Sequence, residues 1–357
     1  MTLDLVKLFI PSTAAFVVGI AITPFITHYL YKFEMWKKKA GKIAPDGRDT
    51  PIFNELHKHK EVGTPKMGGI VIWGSVFITV MLFWLVSKVF PSEIFIKFDF
   101  LSKSQTLIPL FTLLFGACIG LIDDYLDIQG SKDHIAGGLS LRKRLMVVGI
   151  IGLLCGYWFY AKLDVTGIGL PFGNSLYMGV LFIPFLTFIM MGLYSGGVID
   201  GIDGLAGGVL AAMFAAYGGI AFFHTQIDLA AFCAVVVGGI LAFLWFNIPP
   251  ARFYMSETGS MSLTITLAIV AFMTDQVSGG YGILVLPVIA FPLIITSASV
   301  VIQLLSKKIR NGKKVFLVAP LHHHFEASGW SPYKVTMRYW IIGIVLSTLG
   351  MVLALIA

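Results

Sequence analysis

The chain has 357 residues, 57% of them hydrophobic and 13% charged, with three cysteines and a formal net charge of +7. A soluble globular domain carries roughly a quarter charged residues, so this composition excludes one, and three cysteines spread through apolar stretches exclude a disulfide framework.

Ten apolar runs appear in chain order, at residues 8–31, 68–90, 106–122, 145–161, 176–196, 205–223, 229–246, 261–273, 281–305 and 339–357. A hydrocarbon layer demands about 20 such residues per crossing, because backbone polar groups must be satisfied inside a helix there. The runs are continuous rather than alternating with period two, which excludes a porin-like barrel. The expectation is an all-α polytopic membrane protein with ten transmembrane helices, forming a single domain over residues 1–357. No Gly/Ser-rich or Pro-rich linker and no repeat of fixed period divides it. The first run is too long for a cleaved signal peptide and is preceded only by Lys7, so it is expected to be retained. The run at 261–273 is the shortest and needs Thr258, Ser260 and Thr274 to reach full length. Cys118, Cys155 and Cys233 fall within runs and are expected as small core residues.

Charge sets the orientation. Twenty-one of the 26 basic residues fall in alternate gaps, those after the first, third, seventh and ninth runs. The other side holds only Lys7, Lys88, Lys97, Lys103 and Lys162. By the positive-inside rule the rich gaps are cytoplasmic and both termini face outward. A basic face attracts anionic headgroups, and it also suits a phosphorylated substrate.

Acidic and histidine residues gather in those gaps. Asp123 and Asp124 close the third run, where adjacent carboxylates suit a divalent cation or proton abstraction near a phosphate. A helix C-terminus is the unfavourable end for such charge, which argues against a mere boundary marker. Asp200 and Asp203, in DGIDGLA, join the fifth and sixth runs; Asp203 is placed to cap the sixth helix, leaving Asp200 for substrate or metal. The stretch at 247–260, NIPPARFYMSETGS, carries Glu257 just before a helix start whose N–H groups suit an anion. Its Tyr254 is either an interfacial residue or a stacking platform for a base. Residues 314–318 (KVFLV) read as strand-like, and Ala319-Pro320 as a breaker before His322, His323 and His324. Three consecutive histidines point in different directions, so contacts to phosphate or sugar fit them better than one shared metal. Thr64 and Lys66, in GTPKMGG at the start of the second run, suit a phosphate-bearing ligand.

In order, HKHKEVGTPKMGGI, GLIDDY, DGIDGLAGG, LWFNIPPARFYMSETGS and VFLVAPLHHHFEASGW resemble the phospho-N-acetylmuramoyl-pentapeptide transferase (translocase) family, within the polyprenyl-phosphate hexose-1-phosphate transferase superfamily. APLHHHFE is the most discriminating piece. The resemblance implies a bacterial inner-membrane enzyme, dimeric and Mg²⁺-dependent, with an active site on cytoplasmic loops. It would move phospho-MurNAc-pentapeptide from its UDP carrier to undecaprenyl phosphate, giving lipid I and UMP. Nucleic acid is not among the implied partners. The resemblance further implies that Asp123, Asp124 and Asp200, with His323 and His324, carry the chemistry. By the same matching, Asp203, Asn247, Tyr254, Gln303, His322 and Arg144 bind substrate with Thr64 and Lys66, and Glu257 and Asp123 hold the metal. Four positions depart from the family pattern: Glu257 replaces an aspartate, Asp127 and Arg144 stand where lysines are usual, and Gly197 replaces an asparagine.

Two rivals share this chemistry only in part: a transferase of UDP-N-acetylhexosamines, against which the histidine run speaks, and a degraded paralogue that binds only lipid or partners, motivated by Glu257 and Asp127. A transporter would place ionisable groups near the bilayer midplane, and the runs are almost free of them.

Overall fold

The computed structural model describes residues 2–37, 62–102, 104–130, 138–171, 174–275, 277 and 279–356. All ten runs form helices long and apolar enough to cross a membrane. They are α1 (Thr2–Lys32), α2 (Ile70–Val89), α4 (Leu107–Gln129), α5 (Leu141–Lys162), α6 (Phe182–Ser195, extended by a 3₁₀ turn Gly196–Ile199), α7 (Leu205–Phe223), α8 (Ile227–Asn247), α9 (Ser256–Met273), α11 (Phe291–Ile309) and α13 (Pro332–Ile356). Three short helices sit between them: α3 (Glu93–Phe98), α10 (Leu286–Ile289) and α12 (Leu321–Ala327). A two-stranded antiparallel hairpin, β1 (Gly167–Leu170) with β2 (Asn174–Tyr177), precedes α6.

The organising element is α9, the helix with the shortest apolar run in the sequence. It packs against α2, α4, α6 and α7, and 89% of its most apolar window is buried, against 17% for α1. A helix enclosed by other helices has little lipid to face, so its run of Ser and Thr is tolerated. The hydroxyls of Ser262, Thr264 and Thr266 bond back to their own helix, Thr264 to Ser260 O (2.7 Å) and Thr266 to Ser262 O (2.7 Å). Phe272, near its far end, takes Phe159, Phe182 and Phe185 edge-on, which ties α9 to α5 and α6.

Several boundaries differ from the sequence expectations, and polar residues explain most of them. α4 continues seven residues past 122, so Asp123, Asp124 and Asp127 stand on a helix rather than in a loop. α9 begins at Ser256 and α13 at Pro332, well before residues 261 and 339. The run at 281–305 is not one helix: prolines at the starts of α10 and α11 begin two separate ones. Residues 314–318 form no strand; the N–H groups of Val315 and Phe316 donate to the Gln303 side chain (3.0 Å each). Cys155 and Cys233 are core residues, but Cys118 is exposed on the outside of α4.

The loops sort into two groups at opposite ends of the bundle. At one end Lys7 pairs with Asp228 (2.5 Å), Gln105 accepts from Leu229 N (3.2 Å), and Asp275 accepts from Gly169 N (2.7 Å) and Ile283 N (2.9 Å). At the other, the segments at 35–37, 64–69, 123–127, 200–204, 247–258 and 320–326 touch one another, as described next.

Candidate active site

The site is built on the crossing of α4 over the first turn of α9. A Cβ on Gly120 would stand 2.6 Å from Thr258 Cα, and one on Gly69 would stand 2.5 Å from Gly259 Cα. Only glycine lets these backbones approach so closely. The approach delivers the carboxylates of α4 to the N–H groups that the first turn of α9 leaves unpaired. Asp124, fully buried, accepts from Thr258 N (2.9 Å), Thr258 Oγ1 (2.8 Å) and Glu257 N (3.4 Å). Asp200 accepts from Ser256 N (2.8 Å). The C-terminal end of α4 disfavours negative charge, and the N-terminal end of α9 compensates it.

Arg144, at the start of α5, ties the metal-candidate residues together. Its Nη1 donates to Glu257 Oε1 (2.6 Å), and its Nε lies 3.2 Å from Asp123 Oδ1 and donates to Leu139 O (2.8 Å). Asp123 also accepts from Leu139 N (2.5 Å), and Tyr194 donates to Glu257 Oε2 (3.4 Å). On the other side of the pair, Lys66 is bonded to Asp127 and lies 3.7 Å from Asp124 Oδ1, while Lys37 approaches Asp127 to 3.8 Å. Burial opposes the charge of Lys66, but Asp124 and Asp127 outweigh it and hold the ammonium above its ordinary pKa. Two cationic groups thus flank the acidic pair, Arg144 beside Asp123 and Lys66 beside Asp124.

The remaining motifs close around this core. Pro65 O accepts from Tyr254 N and Tyr254 O from Gly68 N (2.8 Å each), which zips the loop bearing Thr64 and Lys66 to the start of α9. Met67 (φ 66°) and Ser256 (φ 56°) adopt left-handed backbone on either side of this seam, a cost borne at a site that fixes both. Asn247 bridges two loops, its Oδ1 accepting from Gly204 N (2.9 Å) and its Nδ2 donating to Phe253 O (2.8 Å). The histidines ride on α12 rather than in a loop, and against the expectation that all three diverge, the His322 and His323 rings lie together, 4.2 Å apart. His322 and His323 are buried with their Nε2 atoms against Gly201, where a Cβ would meet them at 2.5 and 2.7 Å. His323 Nδ1 bonds Glu326 Oε2 (2.6 Å). His324 turns away, accepting from Leu317 N (3.2 Å) and packing edge-on against Phe316.

One sequence expectation is corrected here. Asp203 does not cap α7: that position is Gly204 (φ 75°), and Asp203 accepts from Ala251 N (3.3 Å) and so pins the neighbouring loop. Gln303 stands at the end of α11 with its amide engaged by residues 315 and 316. Tyr194, Thr258 and Lys37 belong to the constellation and escaped the sequence reading. Tyr194 hid inside an apolar run, and the partners of the other two are distant in sequence. Much of the gap after the first apolar run, with Lys38, Lys39, Lys42, Arg48, Lys58 and Lys60, lies outside the described residues, as does Lys132.

Among the described residues no group of three or more His, Cys, Asp and Glu side chains is arranged to hold a metal. Asp123 and Glu257 nonetheless turn oxygens toward one shared cation, the Arg144 guanidinium. Mg²⁺ is commonly held by one or two carboxylates, with water and substrate phosphates completing its shell, so this hard-oxygen pair fits it.

Residues 106–275 match the glycosyl transferase family 4 profile. The chain is 32% identical over 368 residues to a phospho-N-acetylmuramoyl-pentapeptide-transferase of Chloroflexus aggregans, covering 99% of this chain and 91% of that one. It is 32% identical to the enzymes of that name from Listeria monocytogenes (93% of each chain covered) and Bacillus cytotoxicus (96% of each). Near-complete coverage by relatives that share one name places all five motifs in one inherited frame: the chain belongs to the phospho-N-acetylmuramoyl-pentapeptide-transferase family.

Proposed function

We propose that this protein transfers phospho-MurNAc-pentapeptide from its UDP carrier to undecaprenyl phosphate, releasing UMP and forming lipid I, with Mg²⁺ as cofactor. A phosphate oxygen of the lipid attacks the β-phosphorus of the donor, and the bond from that phosphorus to the bridging oxygen breaks, so UMP leaves with the oxygen. The observation that carries the reading is the meeting of Asp123, Asp124, Asp200, Glu257 and two cationic groups around one helix start, at one end of a membrane bundle. One substrate is water-soluble and the other holds its tail in lipid, so a site at a bundle end suits both. We place that end in the cytoplasm of a bacterial cell, with the termini outside and a homodimer as the working assembly; the basic loops support the orientation.

Phosphoryl transfer asks for positioning and charge neutralisation more than covalent help. Bound Mg²⁺ would neutralise the diphosphate and stabilise the departing UMP. Asp123 and Glu257 are the residues to hold it, and Arg144 keeps both oriented. Asp200 fixes Ser256, and with it the first turn of α9. Asp124 has its oxygens committed to Thr258 and Glu257, so a covalent intermediate on it would break the contacts that shape the site. Direct transfer is therefore the favoured route, with Asp124 holding Lys66 and α9 in place. His323, braced by Glu326, and His322 face the DGIDG turn, where they can donate to substrate phosphate or sugar; His324, Tyr254, Asn247 and Gln303 line or brace the adjoining loops for the nucleoside.

The test is UMP release by purified protein given undecaprenyl phosphate and Mg²⁺ with either UDP-MurNAc-pentapeptide or UDP-GlcNAc. Release with the first donor is expected. Release only with the second, or none with either, overturns the proposal.

A further inference from the structure

Asp127 is a nearly buried carboxylate on the last turn of α4, with 7% of its side chain exposed, where the helix dipole disfavours negative charge. Two lysines from different loops converge on it. Lys66 is bonded to Oδ2, and Lys37 stands 3.8 Å from the same oxygen. Their loops are joined, since Met35 O accepts from Lys66 N (2.7 Å). Lys66 reaches in one direction to Asp127 and in the other to Asp124 (3.7 Å), so one ammonium spans the gap between the two carboxylates. A lysine on a loop has four rotatable bonds and no reason of its own to lie over α4; Asp127 supplies the reason.

Resting on the transferase reading, we propose that Asp127 is a positioning residue: it draws the ammonium groups of Lys66 and Lys37 to the acidic pair, where they bind a phosphate of one of the two substrates. Transfer between two anions needs a cationic group on each side of the reacting phosphorus. Arg144 lies on the Asp123 side, and the lysines held by Asp127 lie on the other. The phosphate belongs either to the polyprenyl acceptor or to the nucleotide donor, and the two are separable by experiment.

The experiment measures Kd for undecaprenyl phosphate and for UDP-MurNAc-pentapeptide separately, together with KM and kcat for UMP release, in four variants. Asp127→Asn is expected to weaken one of the two Kd values about tenfold and to raise the matching KM, with kcat held within about twofold. Which value moves names the phosphate. Asp127→Glu restores most of the affinity. Lys66→Asp alone binds as poorly as Asp127→Asn or worse, whereas Lys66→Asp combined with Asp127→Lys, which exchanges the two charges in place, recovers to within about threefold of the parent. Unchanged Kd for both substrates in Asp127→Asn, or a fall in kcat alone, overturns the proposal, as does an exchange variant no better than its singles. If the parent binds both substrates but releases no UMP, the transferase reading fails and the positioning claim is still decided by the Kd values. If it binds neither, both fail.

Discussion

The two ends of α9 pose the same physical problem and solve it differently. Each end meets a buried carboxylate. At the far end Asp275 is 1% exposed and takes the backbone N–H groups of Gly169 and Ile283, which fastens the β-hairpin and the loop before α10. At the near end Asp124 is equally buried and also takes backbone N–H groups, those of Thr258 and Glu257, but it adds Lys66, and its neighbour Asp123 shares Arg144 with Glu257. Backbone donors cannot leave, so the far end is a fixed clasp. Side-chain cations can be recruited by another anion, so the near end can exchange a carboxylate partner for a phosphate. Burial of acids does not by itself distinguish structure from chemistry; the mobility of their partners does.

The contrast is broken most sharply at Glu257. Glu257→Ala removes one of two candidate cation ligands and is expected to lower kcat by about 100-fold, which corresponds to a few kcal/mol of transition-state stabilisation. Thermal unfolding in detergent should change little, and UMP release in a Mg²⁺ series reads the loss. Next comes the crossing that holds the near end together. Gly120→Ala forces a methyl group against Thr258 and should cost about 1–3 kcal/mol of stability along with much of the activity. Gly192→Ala, with no atom within 4 Å of the added carbon, should cost neither.

At the far end the expectation reverses. Asp275→Asn turns an amide NH₂ toward one of two buried N–H donors, and should lower stability by about 1–3 kcal/mol while leaving kcat and KM of the folded protein within about twofold. A large loss of activity at unchanged stability would erase the distinction between the two ends. The smallest effect is expected of Arg144→Lys. A lysine keeps the charge but reaches only one of Asp123 and Glu257 at a time, which should lower kcat/KM about threefold and raise the Mg²⁺ concentration needed.

What the sequence discloses follows the same division. Lipid imposes its length and apolarity on every crossing, so ten runs are visible without any structure. Their ends are less visible, because α4 carries Asp123, Asp124 and Asp127 in its last two turns with partners that only folding supplies. The site motifs are legible because carboxylates and histidines in an apolar chain need a reason to be there. Their pairings are not. Asp203 reads as a cap and instead holds Ala251, since Gly204 takes the cap position with positive φ. Tyr194 reads as one more aromatic in an apolar run, and only the packing of α6 on α9 brings its hydroxyl to Glu257. Asp127 reads as a lost lysine, whereas two lysines arrive from other loops to meet it.

The central claim is that Asp123 and Glu257 hold one divalent cation against a diphosphate. A titration of purified protein with Mn²⁺, followed by electron paramagnetic resonance in the presence of UDP-MurNAc-pentapeptide, tests it without relying on turnover. One tightly bound Mn²⁺ per chain is predicted for the parent, lost in both Asp123→Ala and Glu257→Ala and kept in Asp275→Asn. Binding that survives in both of the first two variants contradicts the account.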